Sequence, residues 1–118
     1  MKGMSKMTSY IIEGGKRLEG EVDVSGSKNA SLPILASCIL NSGVTKLYNV
    51  PEIRDTRITQ EILKFLGCKV KKHKGKIEIN SKNITKKEIP EHLMHQMRST
   101  VILAGAILGR FREVRFSY

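Results

Sequence analysis

Apolar and polar positions along the chain change their spacing several times, and each change marks the edge of an element. Tyr10, Ile11 and Ile12 form a short apolar run closed by Gly14 and Gly15, which predicts a first strand over 10–12. Over 18–24 the chain alternates, with Leu18, Val22 and Val24 on one side and Glu19, Glu21 and Asp23 on the other, the pattern of a half-buried strand. Ser25, Gly26 and Ser27 break it. An apolar stretch over 30–40 then predicts a helix that Ser27 or Asn29 can cap, with Pro33 tolerable only near its first turn. Asn41, Ser42 and Gly43 end that helix, and 44–50 reads as another strand.

The second helix is marked more sharply. Pro51 precedes it, Asp55 or Thr56 can cap it, and Ile58, Ile62, Phe65 and Leu66 keep one apolar stripe up to the stop at Gly67. Residues 68–71 and 76–79 predict a hairpin around His73, Lys74 and Gly75. Pro90 suits the first turn of a third helix, in which Leu93, Met97, Val101, Ala104 and Leu108 share a face and Gly109 is the stop. A last strand begins at Glu113. The order is strand, helix, strand, helix, hairpin, helix, strand, an α/β (α+β) unit with no linker inside it.

Composition bounds this picture. The chain has 118 residues, 40% hydrophobic and 27% charged, which is globular and leaves no room for a disordered or fibrous reading. No apolar run approaches the ~20 residues of a membrane-spanning helix, and the charged start has no hydrophobic stretch behind it to make a secretory signal. The final strand has no neighbour, and the Ser-Gly-Ser break sets 10–24 apart from the helices. Natural domains avoid such open edges, so the expectation is an incomplete domain.

Twenty-one Lys and Arg against eleven Asp and Glu give a net charge of +10, compatible with nucleic acid, an anionic surface or small phosphate-bearing substrates. Lys69, Lys71, Lys72, Lys74, Lys76, Lys82, Lys86 and Lys87 crowd one stretch, but no aromatic residue lies among them to stack on bases. Nucleic acid is therefore not expected as a partner, and a basic nucleic-acid-binding module is kept only as the alternative. Cys38 and Cys68 lie in apolar segments without a CxxC partner, and His92 and His95 lack a third ligand. Buried thiols in a reducing cytoplasm, and no metal or cofactor, are expected.

Two places carry candidate chemistry. Ser25, Gly26, Ser27, Lys28 and Asn29 run from a strand end into a helix start, where small residues and the helix dipole favour an anion and Lys28 adds a full charge. The spacing is not that of a P-loop, so an ordinary cap with a solvated lysine fits the pattern as well. Arg98 lies about 100° from Met97 on a helical wheel, at the stripe's border with Met94 and Ile102. It can be an arginine covering the core edge or a fork aimed at a phosphate, and periodicity does not choose.

Longer motifs do choose. Leu18, Gly20, Val22 and Val24, then the unbroken run from Ser25 to Ala36, resemble the opening of the UDP-N-acetylglucosamine 1-carboxyvinyltransferase family of enolpyruvyl transferases. Asn49-Val50-Pro51, Asp55, Leu66-Gly67-Cys68-Lys69-Val70, Met97-Arg98-Ser99 and Leu108-Gly109-Arg110-Phe111 follow in the same order. The resemblance implies transfer of the enolpyruvyl group of phosphoenolpyruvate to the 3′-hydroxyl of UDP-N-acetylglucosamine, the first committed step of peptidoglycan synthesis, in the cytoplasm. It implies that Lys28 contacts phosphoenolpyruvate, that Asn29 sits where the two substrates meet, and that Arg98 helps to hold their anionic groups. It further implies an inverse barrel of repeated strand–helix units, with 1–24 belonging to the other domain and 25–118 forming the first repeat of the UDP-sugar side.

Against that family pattern the chain is incomplete. The family's cysteine acid belongs to a loop expected just beyond Tyr118, and neither Cys38 nor Cys68 matches it. The resemblance therefore implies an N-terminal fragment, inactive alone and open to self-association through its strand edges, whose missing partner is the rest of its own chain.

Overall fold

The computed structural model describes residues 8–116. Its elements are α1 (Lys28–Ser37), continued by a 3-10 turn (Cys38–Leu40), β1 (Val44–Tyr48), α2 (Arg54–Leu66), β2 (Lys69–His73), β3 (Lys76–Asn80), α3 (Glu91–Met94) and α4 (Thr100–Phe111). The three strands form one antiparallel sheet in the order β1-β3-β2. Register puts Ile77 opposite Leu47 and Lys72, and Ile79 opposite Thr45 and Val70, so β3 turns its two isoleucines toward the helices. They meet Leu35, Ile39, Ile62, Leu63, Leu66, Leu103 and Ile107 in one apolar core. The fold class is the mixed α/β arrangement that the spacing predicts.

Capping explains the helix starts. Ser27 accepts the Ala30 N–H on its hydroxyl at 3.4 Å, so α1 begins at Lys28, two residues before the apolar stretch does. Pro33 consequently falls in the second turn rather than the first. At α2 the extended residue Ile53 stands at the cap position, and Thr56 does the capping from inside the helix. Its hydroxyl accepts the Ile53 N–H at 3.3 Å and donates to the Pro51 carbonyl at 2.7 Å. Gly67 closes α2 at φ 115°, a conformation that costs other residues strain.

Four expectations are corrected. Residues 10–12 and 18–24 are not strands: they lie outside every ladder, and Ile11 and Leu18 are more than nine-tenths exposed. Alternation reports which side a strand would bury, but pairing needs a second strand, and no described residue supplies one. The single third helix is in fact two, broken over 95–99. The break resets the helical phase, so α4 buries Thr100, Leu103, Ala104, Ala106 and Ile107 while Val101 and Leu108 stay at least half exposed. Gly109 does not stop α4. A Cβ there would sit 3.3 Å from Leu40 Cδ2, and the helix ends at Phe111 instead, with Arg112 as its cap. The expected last strand is reduced to one parallel bridge between Glu88 and Arg115, and Ser117 and Tyr118 lie outside the described residues.

Candidate anion site

Lys28 is the first residue of α1, where the amide N–H groups of the opening turn have no intrahelical acceptor. Ser27 fixes that start twice over. Besides the cap, its carbonyl accepts the Ser31 N–H at 2.9 Å and the Ser31 hydroxyl at 2.7 Å. The Lys28 ammonium reaches across to Asp55 at the start of α2, with Nζ 2.5 Å from Oδ2. Half of the Lys28 side chain remains open to solvent.

Arg98 does not lie on a helix. It stands in the turn between α3 and α4, exposed, beside the buried Met97. Three side-chain contacts shape that turn. The Thr100 hydroxyl donates to the Met97 carbonyl, Thr59 Oγ1 lies 3.7 Å from Met97 Sδ, and the same Thr59 hydroxyl donates to the Asp55 carbonyl at 2.8 Å. Met97 is thus an anchor between α2 and α4, and Arg98 is carried outward by its neighbour's burial.

One hollow of about 310 Å³ is lined by Lys28, Asn29, Leu32, Asp55, Gln96, Met97, Arg98 and Ser99. The three residues singled out from the sequence therefore share a cavity although about 70 positions separate Asn29 from Arg98. Lys28 is paired with Asp55, whereas Arg98 has no ion-pair partner among the described residues. A helix start, an ammonium and an unpaired guanidinium around one open hollow leave a positive surplus that suits an anion. Asp55, Gln96 and Ser99 were not expected there. Nothing local in the sequence signals Asp55 as the lysine's partner, because the pairing runs between the starts of two helices.

The thiols lie elsewhere. Cys38 and Cys68 are buried, and desolvation pushes both above the ordinary thiol range. Neither lines the hollow. Arg110 also has a role that sequence reasoning missed. Its guanidinium donates to the Ile39 carbonyl at 2.9 Å and the Ser81 carbonyl at 2.7 Å, tying the end of α4 to the end of α1 and the end of the sheet.

Comparison with known proteins bears on the fold and the family of this chain. The enolpyruvyl transferase NikO from Streptomyces tendae shares this fold with a TM-score of 0.71, at 24% identity over 83% of this chain and 23% of its own. UDP-N-acetylglucosamine 1-carboxyvinyltransferase 2 of Caldanaerobacter subterraneus subsp. tengcongensis is 43% identical over 95% of this chain and 27% of its own. The UDP-N-acetylglucosamine 1-carboxyvinyltransferase of Desulfatibacillum aliphaticivorans is 41% identical over 94% and 27%. The chain thus spans about a quarter of the length of the relatives it matches. The profile of the EPSP synthase (3-phosphoshikimate 1-carboxyvinyltransferase) family matches residues 12–118, nearly the whole sequence, and the chain belongs to that family of enolpyruvyl transferases.

Proposed function

We propose that this chain is the N-terminal part of a transferase that moves the enolpyruvyl group of phosphoenolpyruvate to the 3′-hydroxyl of UDP-N-acetylglucosamine in the cytoplasm, the committed entry to peptidoglycan synthesis and so to cell shape and division. The carrying observation is the hollow in which Lys28, Asn29 and Arg98 meet. Both substrates bear phosphate, and the enol ester also bears a carboxylate. Lys28 holds the anionic end of phosphoenolpyruvate, Arg98 supplies the fork that its unpaired guanidinium leaves available, and Asn29 sits between the two substrates. In the reaction the sugar's 3′-oxygen bonds to the enol carbon that bears the phosphate, while the neighbouring methylene carbon takes up a proton. That methylene-derived carbon then gives a proton back, the double bond re-forms, the carbon–oxygen bond to phosphate breaks, and phosphate departs with its electron pair and, in the balance, the hydroxyl proton. Fixed cations around the departing group stabilise the charge it gathers.

This chain is inactive alone. Its two thiols are buried away from the hollow, so no cysteine of this segment can serve as the acid, and the remaining wall of the site comes from the rest of the protein. Residues 1–24 belong to the other domain, which fits the exposed apolar side chains of Tyr10, Ile12 and Val22, and 25–118 form the first repeat of the UDP-sugar side. The free edges of β1 and β2 let the isolated chain associate with a copy of itself.

Phosphate release from phosphoenolpyruvate plus UDP-N-acetylglucosamine tests the assignment. A full-length transferase carrying this segment releases phosphate, its Lys28→Ala variant loses that activity, and the chain alone shows none. Turnover that survives Lys28→Ala, or a full-length protein idle on this substrate pair, would refute it.

The alternative, a basic nucleic-acid module, draws on the outer face of the sheet. There Lys46, Lys69, Lys71 and Lys76 share a surface with the exposed Tyr48, which supplies the aromatic ring that the lysine stretch lacks. It predicts binding of single-stranded RNA that weakens steeply with salt, and failure to bind at low salt removes it.

A further inference from the structure

Asn49 follows β1 in the left-handed region, with φ at 56°. Asparagine tolerates that conformation better than most residues do. From there its carboxamide grips the strap that leads into α1. Oδ1 accepts the Gly26 N–H at 3.2 Å, and Nδ2 donates to the Val24 carbonyl at 3.3 Å. One side chain thus satisfies a donor and an acceptor of a backbone that has no strand to pair with among the described residues. The strap lies directly on the Asn49 backbone, since a Cβ at Gly26 would fall 1.9 Å from the Asn49 carbonyl oxygen. Asn49 is itself held by the hairpin, its N–H donating to the Gly75 carbonyl at 3.1 Å.

Only Ser27 separates this clamp from Lys28, and Ser27 is the cap that starts the helix. The loop that begins at Asn49 ends in α2, whose second residue, Asp55, takes the Lys28 ammonium. Lys28 is therefore fixed at both ends by one loop: its backbone through Asn49, its charge through Asp55. We infer that Asn49 is a positioning residue of the transferase, aiming Lys28 into the hollow by clamping Val24 and Gly26. The inference rests on the proposed role of Lys28 in binding phosphoenolpyruvate and assigns no contact of Asn49 with substrate.

A double-mutant cycle in the full-length transferase carrying this segment tests it, read by rate, by phosphoenolpyruvate affinity and by melting temperature. Asn49→Gly keeps the left-handed backbone and removes both side-chain bonds. It should lower kcat/KM for phosphoenolpyruvate by about a hundredfold, the cost of displacing a substrate-positioning group by roughly 1 Å. In the Lys28→Ala background, where turnover is lost and the cycle is read by phosphoenolpyruvate affinity instead, the same change should cost nothing further. Equal losses from Asn49→Gly with and without Lys28 overturn the inference, because Asn49 would then act independently of the lysine. A Lys28→Ala variant with unchanged phosphoenolpyruvate kinetics defeats the underlying assignment instead, and the two failures are told apart by that single variant. Should Asn49→Gly melt below the assay temperature, Asn49→Asp, which keeps the acceptor for the Gly26 N–H, carries the same cycle.

Discussion

Lys28 and Asp55 join the first turns of two helices through a contact of 2.5 Å between Nζ and Oδ2. With the lysine side chain half exposed, solvent screens the pair, and such contacts contribute at most about 1 kcal/mol to folding. Its importance is directional. An ammonium tethered to one carboxylate cannot sample the rotamers a free lysine would, so it enters the hollow pre-oriented. Asp55→Asn should leave the urea midpoint nearly unchanged while weakening phosphoenolpyruvate binding in the full-length enzyme. A large stability loss with normal binding would show the contact to be structural only.

Gly26 is a position where added volume has nowhere to go. The atom that a new Cβ would strike is backbone, the Asn49 carbonyl oxygen, and Pro51 Cδ stands 3.2 Å away on the same side. Gly26→Ala should destabilise the chain by about 1–3 kcal/mol, the usual cost of overpacking. Gly14, with nothing within 4 Å of its Cβ direction, is the matched control, and Gly14→Ala should stay within about 0.5 kcal/mol. Equal urea midpoints for the two variants would contradict the close approach.

Arg110 binds two carbonyls that end different elements, at Ile39 and at Ser81. Arg110→Met keeps much of the apolar stem and strands both acceptors. A loss of about 1–3 kcal/mol is expected from leaving such groups unsatisfied, read as a lower denaturation midpoint with an unchanged slope. Arg110→Lys should recover only part of it, since a single ammonium lacks the planar fork.

The two thiols set a pH dependence at the alkaline end. Burial raises both folded-state values above the ordinary thiol range. A group raised on folding contributes stability that is present below its unfolded value and lost as pH rises through its folded one. Stability should therefore fall as the solution passes above about pH 9, where the unfolded thiols ionise first. Cys38→Ala with Cys68→Ala should flatten that decline. At pH 8 an aromatic disulfide reagent should find both thiols unreactive in the folded chain and fully reactive in denaturant, and fast labelling of the native chain would contradict their burial.

Local signals were readable residue by residue. The stripe of Ile58, Ile62 and Leu66 with Gly67 behind it placed α2, and the Lys-rich alternation around Gly75 placed the hairpin, because spacing and turn chemistry act within a few residues. The Ser27 cap was among the residues named in advance. What failed had one cause. The strands over 10–12 and 18–24, the unbroken third helix and the stop at Gly109 were inferred from pattern, yet each depended on a distant partner. Met97 breaks the third helix by anchoring against Thr59 of α2, and Gly109 lies within the helix, close to Leu40.

By itself the sequence determined the helical and hairpin segments, the positive charge, and the motifs around Lys28, Asn29 and Arg98. Tertiary structure alone decided that these three line one hollow, that Asp55 holds the lysine, and that Asn49 holds the strap before it. Periodicity and capping are written in neighbouring residues, whereas a cavity exists only where packing brings distant turns together, and its walls are set by which buried side chains, here Met97 and Leu32, find a place in the same core.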